Sequence, residues 1–153
     1  SGVVAPGGMA TIESAHGDVD DKLKKVLNNI YDYPADVQEI IKAFSRRWKL
    51  PPPPIGTSAF GKWIKHAREV KKKLQNASVS PDDAFAETYY IWKTPPRFVN
   101  VPRKDYEGSF TVVDLGSVNK LVWEAVSNII TGNTKRKVKV YYNANGEKVE
   151  REL

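Results

Sequence analysis

The sequence predicts a mainly α-helical fold, an irregular bundle of about five helices followed by a C-terminal β-hairpin. Apolar residues recur at helical spacing in five successive segments, the pattern of helices that each bury one face. After the last segment, the pattern changes to strand-like alternation around an Asn-Gly pair. The length of 153 residues suits one domain with a substantial core. A winged helix is the alternative fold, because it also joins helices to a hairpin.

The first residues carry no periodic pattern. Residues 1–8 are small and rich in Gly and Pro, and Met9 follows them. Ser1-Gly2 is typical of the remnant of a protease site, and Met9 has the position of a native start. We therefore expect residues 1–17 to be disordered or an added linker, and residues 18–153 to form a single domain.

The first two helices are predicted over 18–31 and 34–48. Three aspartates lie in the first turn of the first helix, where the helix dipole favours anions. Pro34 suits the first position of the second helix, since the N–H that proline lacks would be unpaired there. Pro51–Pro54 ends that helix and is expected to be a rigid spacer, with a ligand for an SH3-type domain as the alternative.

The third and fourth helices have clear start signals. Thr57 or Ser58 can cap a helix that runs to about residue 75. Ser80 is predicted to cap the fourth helix, and Pro81 follows at its first position. Pro95-Pro96 then ends it, and we expect an ordered connection over 94–116.

The fifth helix is predicted from Ser117, as its cap, to about Thr131, with Gly132 as its C-cap. Its apolar stripe consists of Val118, Leu121, Val122, Ala125, Ile129 and Ile130.

The tail is predicted to be a β-hairpin over 135–152. Asn145-Gly146 is a strong signal for a two-residue type I′ turn, which needs φ above zero at both positions. With this turn, Tyr142 pairs with Val149, and the two residues share one face with the valines of the first strand.

The composition excludes several classes of function. The chain has no cysteine, which removes disulfides, thiolate metal sites and cysteine catalysis. His16 and His66 lie far apart, and no carboxylates are spaced to complete a zinc site. Phosphate-binding loops, nucleophile elbows and metalloprotease motifs are absent from the sequence. We therefore expect no catalytic residue, no metal, no cofactor and no enzymatic activity.

No run of 18 apolar residues and no secretory signal occurs in the sequence. We therefore expect no membrane partner and a cytoplasmic or nucleoid-associated location.

Positive charge is concentrated in two parts of the chain. The net charge is +6, but residues 35–76 carry 10 basic and 3 acidic side chains, and residues 117–153 carry 7 and 4. Two separated basic foci in a small domain are typical of a polyphosphate-binding surface, although a solvated face that maintains solubility gives the same pattern. The predicted nucleic-acid-binding residues are Arg46, Arg47, Lys62, Lys65, Arg68, Lys72, Lys73, Lys135, Arg136, Lys137, Lys139 and Tyr141.

Four tryptophans divide into two groups. Trp48, Trp63 and Trp92 lie on the apolar stripes of successive helices and are predicted to be core residues. Trp123 lies off the stripe of the fifth helix. It is either the edge of the core or an exposed anchor for a partner protein.

Part of the helical region resembles a segment of known proteins. The matching features are Gly61-Lys62-Trp63-Ile64, Ala67-Arg68-Glu69-Val70, a capped helix with Tyr90 and Trp92, Pro95-Pro96, and a later helix with Trp123. Together they are similar to a helical segment of replication-accessory proteins from phages and mobile elements, over residues 34–125. The chain departs from that segment in lacking a Gly-Gln-Pro-Pro stretch before the last helix. The resemblance implies a DNA-associated, non-catalytic role and transfers no catalytic residue.

These observations predict a non-catalytic nucleic-acid-binding accessory domain in replication or another DNA-processing assembly. It would contact phosphates through a basic helical face and the hairpin, with DNA favoured over RNA as the partner. The alternative is a protein–protein adaptor or structural subunit of a larger complex, with Trp123 in its interface.

Overall fold

The computed structural model describes residues 21–28, 30 and 32–153. The predicted disordered segment and the start of the first helix lie outside these residues. The elements are α1 (the described part, 21–28), α2 (Gln38–Trp48), α3 (Ser58–Ala77), α4 (Pro81–Lys93), α5 (Asn119–Ile130), β1 (Val138–Tyr142) and β2 (Lys148–Glu152). The predicted fold class, a mainly helical chain with a C-terminal antiparallel hairpin, is confirmed.

Local capping sets the starts of α3 and α4, as predicted. The Thr57 hydroxyl accepts a hydrogen bond from the Phe60 N–H at 3.1 Å, and the Ser80 hydroxyl accepts one from the Asp83 N–H at 3.2 Å. Both bonds satisfy backbone donors that the first helical turn leaves without partners.

The cap predicted for α5 is wrong by one turn. A 3-10 turn at Leu115–Val118 precedes α5, and its cap is Asp114, whose carboxylate accepts from the Ser117 N–H at 2.9 Å. Ser117 returns the bond, since its hydroxyl accepts from the Asp114 N–H. The two residues form a reciprocal capping box, and the earlier acidic residue takes the capping position.

Aromatic side chains fill the centre of the bundle. Phe44 meets the rings of Trp63 and Phe85 edge-on and stacks on Trp48, with ring centroids 5.1 to 5.8 Å apart. Trp63 and Trp92 are buried, and Trp48 packs half-buried against them. The prediction that these three tryptophans belong to the core is confirmed.

The helices surround this core in a ring. α2 and α5 each pack against both α3 and α4. This arrangement places α3 and α4 on opposite sides of the bundle, and it separates any surface built on α3 from one built on α4.

The connection between α4 and α5 is ordered, as predicted. The Trp92 indole N–H donates to the Phe110 carbonyl at 2.7 Å, and both the N–H and the hydroxyl of Ser109 donate to the Trp92 carbonyl at 3.0 Å. Gly108 lies against the indole with a φ of 109°, where a Cβ atom would be 2.1 Å from the ring. Only glycine fits there.

The hairpin is paired one residue away from the predicted register. Tyr142 lies opposite Lys148, and it is Tyr141 that lies opposite Val149. The prediction that Tyr142 and Val149 share a face is therefore wrong. Because side chains alternate between the faces of a strand, this shift moves every residue of β2 to the other face relative to β1.

The turn explains the shift. Gly146 has a φ of 79°, but Asn145 does not have a positive φ, so the turn is not type I′. The Gly146 N–H instead donates to the Asn143 carbonyl at 2.9 Å. The Asn143 amide oxygen also accepts from the N–H groups of Asn145 and Glu147 at 2.9 and 3.0 Å. These side-chain bonds favour a longer turn in which only Gly146 is left-handed.

Candidate nucleic-acid interface

The observed register sorts the charges of the hairpin onto two faces. One face, called the basic face below, consists of Lys137, Lys139, Tyr141, Val149 and Arg151. It has three cations, and Glu147 follows on the same face at the turn, where its carboxylate accepts from the Asn143 side-chain amide at 3.1 Å. Lys139 lies directly opposite Arg151, whereas in the predicted register it would have faced Glu152.

This like-charged pair is unfavourable in the free protein. Like charges directly opposite each other destabilise a sheet, by roughly the 0.2–1 kcal/mol that opposite charges contribute. Lys137, Lys139 and Arg151 are exposed, and none makes an ion pair with any residue that the structure describes. Three solvated cations and an exposed tyrosine ring therefore lie on one side of the ribbon.

Glu150 and Glu152 lie on the other face and bind arginines. Glu152 accepts hydrogen bonds from Arg103 at 2.7 Å and from Arg136 at 3.0 Å, and Glu150 lies 3.4 Å from the Arg136 guanidinium. Arg136, a predicted phosphate contact, thus engages its side chain in these internal ion pairs. These pairs leave Lys137, Lys139 and Arg151 without a paired carboxylate among the described residues.

A buried glutamate attaches the hairpin to α4. Glu87 is only 2 % exposed. Its carboxylate accepts from the backbone N–H groups of Lys135 at 2.6 Å and Arg136 at 3.0 Å, and from the Asn128 amide at 3.1 Å. Two successive backbone N–H groups directed at one carboxylate form a small anion-binding concavity. The ribbon is therefore held at its base on the α4 side of the bundle.

Two predicted arginines of α2 lie on this same side. Arg46 pairs with Asp82 at 3.1 Å, and the Arg47 guanidinium lies 5.7 Å from the centre of the Tyr89 ring. Burial, and then the nearby charge of Arg136, lower the pKa of Arg47. The structure thus brings Arg47 and Arg136 together, although neither belongs to the basic face.

The predicted cations of α3 form a separate surface. Lys62, Lys65 and Lys72 are exposed and make no ion pair within the described residues, whereas Arg68 pairs with Asp36 at 3.3 Å. Since α3 and α4 lie on opposite sides of the core, the cations of α3 do not merge with those of the hairpin into one surface. Their role in phosphate binding remains a prediction.

Lys73 has a different environment from its neighbours on α3. Its ammonium lies 4.4 Å from the centre of the Trp123 ring and donates to the Asn119 carbonyl at 3.3 Å. Burial lowers the pKa of Lys73. Trp123 itself is 58 % exposed, so it is a surface residue.

Sequence reasoning missed two residues of this interface. The predicted register pairs Arg151 with Val140 and so does not place it beside Lys139. The role of Glu87 depends on backbone groups 48 and 49 residues away, which no local pattern indicates. A lone acidic residue in the apolar middle of α4 is the one signal for Glu87, since unpaired carboxylates are seldom buried.

Within the described residues, no three His, Asp or Glu side chains come together as a metal site, and no helix is long and apolar enough to cross a membrane. No protein-family model, curated protein or solved structure matches the chain. The resemblance to replication-accessory proteins therefore remains a prediction that rests on the sequence.

Proposed function

We propose that the protein is a non-catalytic nucleic-acid-binding domain whose hairpin binds the phosphate backbone through its basic face. The observation that carries this proposal is the Lys139–Arg151 pair, in which two cations face each other and neither forms an ion pair with a carboxylate of the described residues. A phosphate bound against that face would attract both cations and offset their mutual repulsion. A role in replication or another DNA-processing assembly is part of the same proposal and rests on the sequence resemblance alone.

The shape of the hairpin supports duplex DNA as the ligand. A two-stranded ribbon is one of the elements that the major groove of B-DNA admits, whereas the major groove of A-form RNA is too narrow for side chains to read. All five residues of β1 are exposed, so the ribbon projects from the bundle rather than covering it. Tyr141 adds an aromatic surface beside the cations, which supports binding of single strands as a second mode.

The salt dependence of binding gives a quantitative expectation. If Lys137, Lys139 and Arg151 each neutralise one phosphate of duplex DNA, the logarithm of the association constant falls with the logarithm of salt with a slope of about −2.7. Fluorescence anisotropy with labelled duplex and single-stranded DNA and RNA, between about 50 and 200 mM salt, measures this slope.

Two charge-reversal variants separate the hairpin from long-range attraction. K137E/K139E and K65E/K72E change the net charge equally, but only the first alters the basic face. We expect the hairpin variant to lose at least about tenfold in affinity, or about 1.4 kcal/mol, and the α3 variant to lose clearly less. Equal losses, or no binding by the unchanged protein at the lower salt, would reject the proposal.

Lys139→Glu adds a test that damage to the fold cannot imitate. The new carboxylate would face Arg151 and replace a like-charged pair by an ion pair, so the hairpin should become more stable by several tenths of a kcal/mol. Its affinity for DNA should fall at the same time. A variant that gains stability and keeps its affinity would show that this face does not bind nucleic acid.

A further inference from the structure

The exposed side of α5 carries an apolar strip that the bundle does not cover. Trp123 is 58 % and Ile130 is 61 % exposed. They are seven residues apart, which places both on one face of the helix. Ile130 was predicted to lie on the buried stripe, but Val126 occupies the core instead. The exposed indole and the exposed isoleucine lie on one helix face, with the small side chain of Ser127 between them.

Lys73 holds the indole of Trp123 in place. Its ammonium packs 4.4 Å from the ring centre while it donates to the Asn119 carbonyl, so the ring is supported from α3. A side chain that is fixed before binding loses less conformational entropy when a partner arrives. This contact also covers one side of the indole with a cation, which a stacking base would have to displace.

Two lysines lie at the Trp123 end of the strip. Lys73 contacts the indole, and Lys120, three residues before Trp123 on α5, is exposed and forms no ion pair within the part of the chain that the structure describes. Glu69 is occupied by His66, whose Nδ1 lies 2.9 Å from its carboxylate. Glu124 is the remaining acidic neighbour on α5.

We propose that the face formed by Trp123 and Ile130, with Lys73 and Lys120 beside it, docks an acidic amphipathic helix of a partner protein. The apolar strip runs along a helix axis, which suits the apolar face of another helix. The lysines attract carboxylates at its edges and set its orientation. Tryptophan is the residue type that most often dominates such interfaces. This inference does not depend on nucleic-acid binding by the hairpin, because the strip lies on α5 and α3.

The probe is a fluorescein-labelled helical peptide of about 18 residues, long enough for about five turns. It has Leu at helical spacing on one face and Glu on the other, and a scrambled peptide of the same composition is the comparison. Anisotropy titrations measure binding to the whole protein. We expect the patterned peptide to bind at least about tenfold more tightly than the scrambled one.

Three variants test which residues carry that binding. Trp123→Ala and Lys120→Glu should each weaken binding of the patterned peptide at least about tenfold. Tyr142→Ala is the matched control, since it removes an aromatic side chain that is 69 % exposed but lies on the hairpin. Ile130→Ser checks the same strip without disturbing Lys73, and far-UV circular dichroism verifies that each variant is folded.

Several results would overturn this inference. They are no binding of the patterned peptide up to about 1 mM, equal binding by Trp123→Ala and the unchanged protein, or equal binding of both peptides. The K137E/K139E variant should keep full affinity for the peptide, so failure of one proposal is visible separately from failure of the other. If duplex DNA displaces the peptide from that hairpin variant, the strip binds nucleic acid and a protein partner is rejected.

Discussion

The buried carboxylate of Glu87 should control how firmly the hairpin is attached to the bundle. Three donors converge on its two oxygens: Oε2 accepts from Asn128 and Lys135, and Oε1 accepts from Arg136. Glu87→Gln removes the charge with little change in shape, and Glu87→Ala removes all three bonds.

The contacts allow the size of each effect to be worked out. Hydrogen bonds to a charged group contribute roughly 1.5–3 kcal/mol each. With its amide oxygen in the Oε2 position, the glutamine side chain of Glu87→Gln would keep two weaker neutral bonds but would direct an N–H₂ group at the Arg136 N–H. We expect Glu87→Gln to destabilise the attachment by about 2 kcal/mol and Glu87→Ala by about 4 kcal/mol. The second value is set below the sum of three such bonds, because the freed N–H groups lie near the surface and can bind water.

Two measurements distinguish local detachment from global unfolding. All four tryptophans precede the hairpin in the sequence, so tryptophan fluorescence during urea unfolding follows the bundle. Amide hydrogen exchange of β1 and β2 follows the hairpin. Glu87→Gln should accelerate exchange in the hairpin about 30-fold, which corresponds to about 2 kcal/mol, while the unfolding midpoint of the bundle changes much less.

The control is Glu124→Gln, which makes the same chemical change on an exposed surface of α5. It should change stability by less than about 0.5 kcal/mol. If the hairpin amides of Glu87→Gln exchange no faster than those of Glu124→Gln, the carboxylate does not hold the hairpin and the reasoning is refuted.

Two further substitutions test the packing of the core and its pH dependence. Gly108→Ala forces a Cβ atom against the Trp92 ring and should lower the free energy of unfolding in urea by at least about 2 kcal/mol. The control Gly146→Ala has a similar positive φ but open space around it, so it should lower that free energy by only about 1 kcal/mol. Equal losses would disprove the collision. Burial raises the pKa of Tyr33 from 10.0 to about 12, so the neutral phenol contributes stability below pH 10 that is lost as the pH rises to 12. Tyr33→Phe also removes the hydrogen bond to the Pro53 carbonyl. Between about pH 8 and pH 11, the unfolding midpoint of Tyr33→Phe should nevertheless fall less than that of the unchanged protein. An equal fall would contradict the raised pKa of Tyr33 as the source of this pH dependence.

Several elements could be predicted because their causes are local. Thr57 and Ser80 cap the helices that follow them, and Pro51–Pro54 separates α2 from α3. Each of these effects acts within one turn of chain, so neighbouring residues suffice to recognise it. The tryptophans assigned to the core were also recognisable, since the helical period places them beside other apolar residues.

The candidate sites depended on contacts between distant parts of the chain. The charge clusters were visible in the sequence, but their grouping was not: Lys73 supports Trp123, and Arg136 binds the carboxylates of β2. The assignment of Ile130 to the buried stripe was wrong because the face that α5 buries depends on its packing against α3 and α4.

The sequence by itself determined a helical bundle, the helix ends marked by Thr57 and Ser80, and a basic C-terminal hairpin, because periodicity and capping act over a few residues. Only the tertiary structure decided the register of that hairpin and therefore the composition of its faces. The Asn143 side chain closes a longer turn, and Glu87, Arg103 and Arg136 hold the base of the ribbon. A shift of one residue exchanges the faces of a strand, so these contacts placed Arg151 opposite Lys139 and gave the protein its basic face.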